Sequence, residues 1–263
     1  MNEAIGLARD IFGGPAAIVA CVVSFAAVWL FRAALPAAAF DRVGLAAGTA
    51  LAFIAGYVAV REEWAALVPK QTWQWLPYLG IASAGLAAVP AVSQPPDWRR
   101  WLCIAIAAIA GGYFLTPSWP IFGLAWPLTI CFASAYLLLV IAVIEFLPVR
   151  QFERPMLVAL PLSAVVAAVA IGADVSIRYG QLAGLATASL AGASLARLYS
   201  GGLTESAIRG WIPIFAVLVG GISLIGAVEP ERPAIGLLLP PLVPALILIG
   251  VAVFRRRGRL SPH

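Results

Sequence analysis

Few residues of this chain could do chemistry, and their spacing excludes most of it. The single histidine, His263, closes the sequence, so neither an HExxH zinc site nor a bis-histidine haem can form within it. Cys21, Cys103 and Cys131 lie far apart inside apolar stretches. That is no CxxC metal site or disulfide framework, and they read as small core residues. There is no Ser/His/Asp set, no GxSxG elbow, no P-loop and no Gly-rich dinucleotide fingerprint. The expectation is a chain with no metal, no cofactor and no catalytic role. The remaining catalytic alternative is a lipid-modifying enzyme that gathers Glu145, Arg150, Glu153 and Arg154 at the head-group level.

Charges inside apolar surroundings mark ion or proton pathways by default. Glu145, in VIEFLPVR, is the most embedded acid. It is expected to pair with Arg32 or Arg150, or to reach the interface. Asp174 and Arg178 stand four apart, the spacing of an ion pair on one continuous helix. No acid falls at the centre of an apolar run, which argues against a carrier coupled to protons or sodium through a buried carboxylate.

The elements that must hold these groups are membrane helices. Of the 263 residues 62% are hydrophobic and 11% charged, with mean hydropathy +0.97, whereas a soluble domain carries about 25% charged residues. Runs near the roughly 20 residues a span requires cover 15–35, 43–60, 74–92, 101–116, 121–147, 156–173, 179–196, 211–228 and 234–254. These runs predict an all-α, polytopic protein with nine spans in one transmembrane domain, 1–263. The first run, flanked by Asp10 and Arg32, reads as a retained helix and not a cleaved signal. Trp73, Trp75, Trp98, Trp101, Trp119 and Trp211 fall at span ends, as an interfacial aromatic belt requires. Pro77 and Pro213 sit near helix starts, where proline is tolerated. The LPPLVP run with Pro240, Pro241 and Pro244 predicts a broken ninth span.

The net charge of +5 comes from residues in the joints, so it points to lipid head groups and topology, not to nucleic acid. With nine spans, one side holds Arg32, Arg42, Arg99, Arg100, Arg150, Arg154, Arg197, Arg209 and the RRRGR tail. The other holds only Arg9, Arg61, Lys70, Arg178 and Arg232. The positive-inside rule then places the N-terminus outside and the C-terminus in the cytoplasm of a bacterial-type inner membrane. The Arg-rich tail is expected to touch anionic head groups.

Displaced by 136 residues, the chain resembles itself. RVGLAAGTALAFIAGYVAVR (42–61) falls on RYGQLAGLATASLAGASLAR (178–197) without a gap. Arg42 meets Arg178, Arg61 meets Arg197, and Trp75-Leu-Pro77 meets Trp211-Ile-Pro213. This suggests units 15–116 and 151–254 around a connector helix, 121–147. A single connecting span inverts the second unit, giving a 4+1+4 inverted repeat of the kind many transporters use.

In both copies small residues recur every four positions: Gly44, Gly48, Ala52, Gly56 and Gly180, Gly184, Ala188, Gly192. That spacing puts each set on one helix face, where small side chains let backbones approach in lipid. The two ridges are expected to pack on each other at the pseudo-axis. Function then divides in two. A transporter or channel for a small neutral or amphipathic solute requires a mid-membrane cavity between the second, third, seventh and eighth spans. A non-catalytic scaffold subunit requires those helices packed solid.

Overall fold

The computed structural model describes residues 6–7, 10–12, 14–61, 69–87, 98–117, 125–147, 152–200, 204–228 and 234–259, with side chains described up to Val251. Among them every regular element is helical. The helices are α1 (Pro15–Ala34), α2 (Ala37–Arg61), α3 (Leu76–Leu86, entered by a 3-10 turn, Thr72–Trp75), α4 (Trp98–Leu115) and α5 (Trp126–Glu145). After them come α6 (Glu153–Asp174), α7 (Ile177–Ser200), α8 (Glu205–Val228) and, past two 3-10 turns, α9 (Val243–Arg259). Each expected run overlaps one of these helices, without matching its bounds.

Five are long and apolar enough to cross a membrane: α1, α2 through Val60, α5, α6 and α8. The others are limited by composition or length. α4 opens on Trp98-Arg99-Arg100, α3 is 11 residues long, and α7 dilutes its 24 residues with glycine, serine, threonine and glutamine. The outer surface carries large aliphatics, among them Ile18, Val22, Leu30, Leu102, Ile106 and Ile109. α1 shows the sorting plainly. Its inward face is Ala16, Ala17, Ala20, Ser24, Ala27 and Val28, while Leu30, at 68% exposure, faces out. A face of bare aliphatics suits a hydrocarbon solvent, where bulk outside costs nothing and small residues inside gain close packing.

α8 is the axle of the bundle, with every residue from Gly210 to Val228 buried. It begins six residues before its expected start because Thr204 caps it, the hydroxyl accepting from the Ala207 N–H at 3.4 Å. Glu205 in the first turn suits the helix dipole. Pro213 is therefore interior to the helix, not near its start. The ladder loosens beyond it into a π-helical turn, Ala216–Gly220, a distortion of the kind that follows a missing backbone donor. Trp211 is fully buried, not part of an interfacial belt. Its indole N–H donates to Thr49 Oγ1 at 2.8 Å, and that hydroxyl donates to the Leu45 carbonyl at 2.8 Å.

Prolines explain two otherwise odd hydrogen bonds. A proline inside a helix leaves the carbonyl four residues earlier without its N–H, a costly group in lipid unless another donor reaches it. Pro161 frees the Leu157 carbonyl, which accepts from Ser194 Oγ at 2.8 Å. Pro213 frees that of Arg209, which accepts from Arg100 Nη2 at 2.8 Å. At the break before α9 the Pro240 carbonyl keeps the Val243 N–H and also accepts from Ser163 Oγ at 2.6 Å. Each bond joins two helices, α6 to α7, α8 to α4, and the start of α9 to α6. The ninth span is broken as expected, into the turns Ile235–Leu238 and Pro240–Leu242 before α9.

The two glycine ridges do not pair with each other. Both face α1 and the residues just before it. A Cβ at Gly48 would meet Val28 at 2.6 Å, and one at Gly56 would meet Ala20 of α1 and Leu185 of α7, both at 2.9 Å. One at Gly184 would lie 2.6 Å from the Ile11 carbonyl oxygen, and one at Gly192 would lie 2.3 Å from that of Cys21. Ser24 of α1 donates to the Ser189 carbonyl of α7 at 2.7 Å in the same seam. Two further ridge positions serve other contacts: Gly44 accommodates the Phe40 ring of its own helix, and Gly180 lies on Gly172 of α6. Ala52 is buried and Ala188 half-buried. Small residues on α2 and α7 were needed because α1 wedges between them. α1 is itself small-faced, so three backbones meet without bulk.

Candidate functional site

The alternating helices place polar groups at two ends, and the ends differ. At the first, formed by the start of α4, the end of α5 and the start of α8, Glu145 is 5% exposed. One carboxylate oxygen takes Arg100 Nη2 and the other takes Arg209 Nη1 at 3.1 Å. Arg209 in turn holds Glu205 at 2.7 Å, one helical turn back. Two cations and two anions cancel within this knot. Its Arg100 is also the donor that reaches the carbonyl freed by Pro213. Beside it Arg197 of α7, 2% exposed, binds Asp41 at the start of α2 at 2.5 Å and stacks its guanidinium 4.8 Å from the centre of the Phe40 ring. The first end is thus tied across five helices.

Glu145 is embedded as its sequence context implied, but its partners are Arg100 and Arg209, not Arg32; Arg150 lies outside the described residues. Glu153 and Arg154 begin α6 and do not join the knot. Arg100, Asp41 and Arg197 were missed as a set. One signal for Arg100 was available: a proline four residues beyond Arg209 demands a donor from elsewhere.

At the second end a cavity of about 660 Å³ opens between the turn before α3, the end of α4, and the starts of α5 and α7. Aromatic rings make half of its lining, with Gln71, Thr72 and Pro117 among the rest. Trp75 stacks on Phe114 with ring centres 4.0 Å apart, and Tyr113 lies 5.6 Å from Trp126. Trp73 and Tyr179 complete the aromatic half, with Lys70 and Arg178 contributing cations. Thr116, 7% exposed, also lines it, and its hydroxyl makes no hydrogen bond to protein. Arg178 further borders a smaller crevice of about 190 Å³ with Val60, Gln181, Leu182 and Leu185.

Asp174 and Arg178 are both present at this end, yet the helical ion pair expected of them does not form. α6 ends at Asp174 and α7 begins at Ile177, so the two are not on one continuous helix. Both are exposed. The cysteines also depart from expectation: Cys131 is exposed and Cys21 and Cys103 half-buried, places a thiol tolerates because it is as apolar as a small hydrophobe. The described residues hold no group of three His, Cys, Asp or Glu able to bind a metal.

Comparison with family models, with curated proteins and with solved structures gives no match. The reading of the site therefore rests on its own geometry.

Proposed function

We propose that this chain is a nine-span protein of a bacterial-type inner membrane, N-terminus outside and C-terminus cytoplasmic, that passes a small amphipathic solute. The observation carrying this reading is the contrast of ends. A cavity of ligand size, half its lining aromatic, opens at one end, while the other is tied shut by Glu145, Arg100 and Arg209. Pockets of about 300–1,000 Å³ with apolar walls and a few polar groups are the usual form of small-molecule sites. A carrier resting open to one side looks like this. By the arginine bias the open side is the outer one, and the Arg-rich tail lies against anionic lipid on the inner one. The cavity opens at one end, between the third, fourth, fifth and seventh spans, and not at mid-membrane between the second, third, seventh and eighth. The path would therefore run along α3 and α7.

The inverted repeat stays part of this proposal, supported by the 136-residue register. Its copies have diverged in environment: α3 keeps exposed residues such as Tyr78 and Ile81, whereas α8 is enclosed. The test is flux. Protein reconstituted in liposomes should carry single-chain amphiphiles across faster than empty liposomes do, and Glu145→Gln should change that rate by loosening the closed end. Flux equal to the protein-free control for every solute would overturn the carrier. It would leave the scaffold reading, which the solid packing around α8 favours; that reading predicts a stable co-purifying membrane subunit.

A further inference from the structure

Resting on the proposed site, we infer that its ligand carries an oxyanion head, a phosphate or a carboxylate, on an apolar tail. Three observations converge. Among the described residues neither Lys70 nor Arg178 has a carboxylate within 4.0 Å, whereas Arg100, Arg197 and Arg209 at the opposite end are ion-paired. Two such cations border one cavity. The Thr116 hydroxyl is buried in the wall with no protein partner, and buried hydroxyls are normally bonded. An oxyanion would accept from that hydroxyl and from both cations, in charge-assisted bonds stronger than neutral ones.

The tail has its own place. Arg178 stands between the aromatic cavity and the smaller crevice, whose other walls are mainly Val60, Leu182 and Leu185. An amphiphile can rest the start of its chain on Val60, which is exposed, with Leu182 and Leu185 beneath it at 2% exposure, while its head crosses Arg178 into the cavity. The aromatic rings then cover the head's first carbons, as tryptophan and tyrosine do at membrane interfaces. A neutral amphiphile would satisfy the rings and crevice but leave both cations and the hydroxyl without use.

Three probes separate the possibilities when the full chain in neutral detergent is titrated and its tryptophan fluorescence followed. They are dodecyl phosphate, dodecanol and inorganic phosphate. Dodecyl phosphate should bind about ten-fold more tightly than dodecanol, the factor set by roughly 1.4 kcal/mol of added head-group interaction. Lys70→Gln with Arg178→Gln should erase that preference while leaving dodecanol binding unchanged. Both side chains are exposed, so the variant folds, and an unaltered melting curve checks this. Displacement of dodecyl phosphate by millimolar inorganic phosphate identifies a free anion as the source. No displacement identifies a membrane-borne lipid head. Equal binding of dodecanol and dodecyl phosphate overturns the oxyanion head and leaves the amphipathic-solute reading intact. Binding of neither overturns both.

Discussion

The two ends of the bundle use the same residue types to opposite effect. At the closed end Arg100 and Arg197 are buried and ion-paired, and Arg100 also reaches a backbone carbonyl. At the open end Lys70 and Arg178 are exposed beside an aromatic cavity. A buried guanidinium without its carboxylate is severely destabilising, so the closed end has little freedom to vary. An exposed cation over a cavity contributes almost nothing to stability and is free to serve a ligand. The contrast teaches where in this molecule charge holds the fold and where it is available for work.

Substitutions can break or sharpen that contrast. The largest effect should come from Glu145→Ala, which leaves Arg100 buried without its counter-ion. Loss of one partner of a buried pair costs about 3–5 kcal/mol, seen as a large drop in detergent melting temperature. Melting unchanged from the wild type would mean that the knot is no brace at all. Next is Gly192→Leu in the seam with α1, where even a Cβ would lie 2.3 Å from the Cys21 carbonyl oxygen. Forcing that seam apart should cost roughly 1–3 kcal/mol or more; a stable variant would place the α1–α7 contact elsewhere. Smallest is Arg178→Gln, expected within about 0.5 kcal/mol of wild type. A strongly destabilised Arg178→Gln would dissolve the distinction between the ends.

Much of this architecture was legible in the chain. Apolar runs located each helix but not its ends, since α2 and α8 begin well before their runs, and the LPPLVP break was plain from its prolines. Glycines every four residues announced close packing but not the partner, because spacing fixes a face and says nothing of what it meets. α1, itself small-faced, meets both ridges, while Gly56 also touches Leu185 of the twin helix. The site was harder. Glu145 was visible as an acid in apolar sequence, while Arg100 and Arg209 sit 45 and 64 positions from it, a distance no local pattern spans. Asp174 and Arg178 had helical spacing, but the chain reverses between them, and spacing cannot report a turn that no glycine or proline marks. The cavity was invisible for a simpler reason. Its lining comes from four separate stretches, each an ordinary interfacial segment on its own.

The proline-freed carbonyls have a consequence for how the bundle assembles. In lipid, apolar side chains give helices little reason to prefer one neighbour or one depth over another. A helix carrying Pro161 or Pro213 enters the membrane incomplete, with one acceptor that only a particular hydroxyl or guanidinium, at a particular height on a particular neighbour, can reach. Ser194 and Arg100 therefore act as addresses. They tell α6 and α8 which helix to stop against and how far to slide, information that a greasy surface alone does not hold.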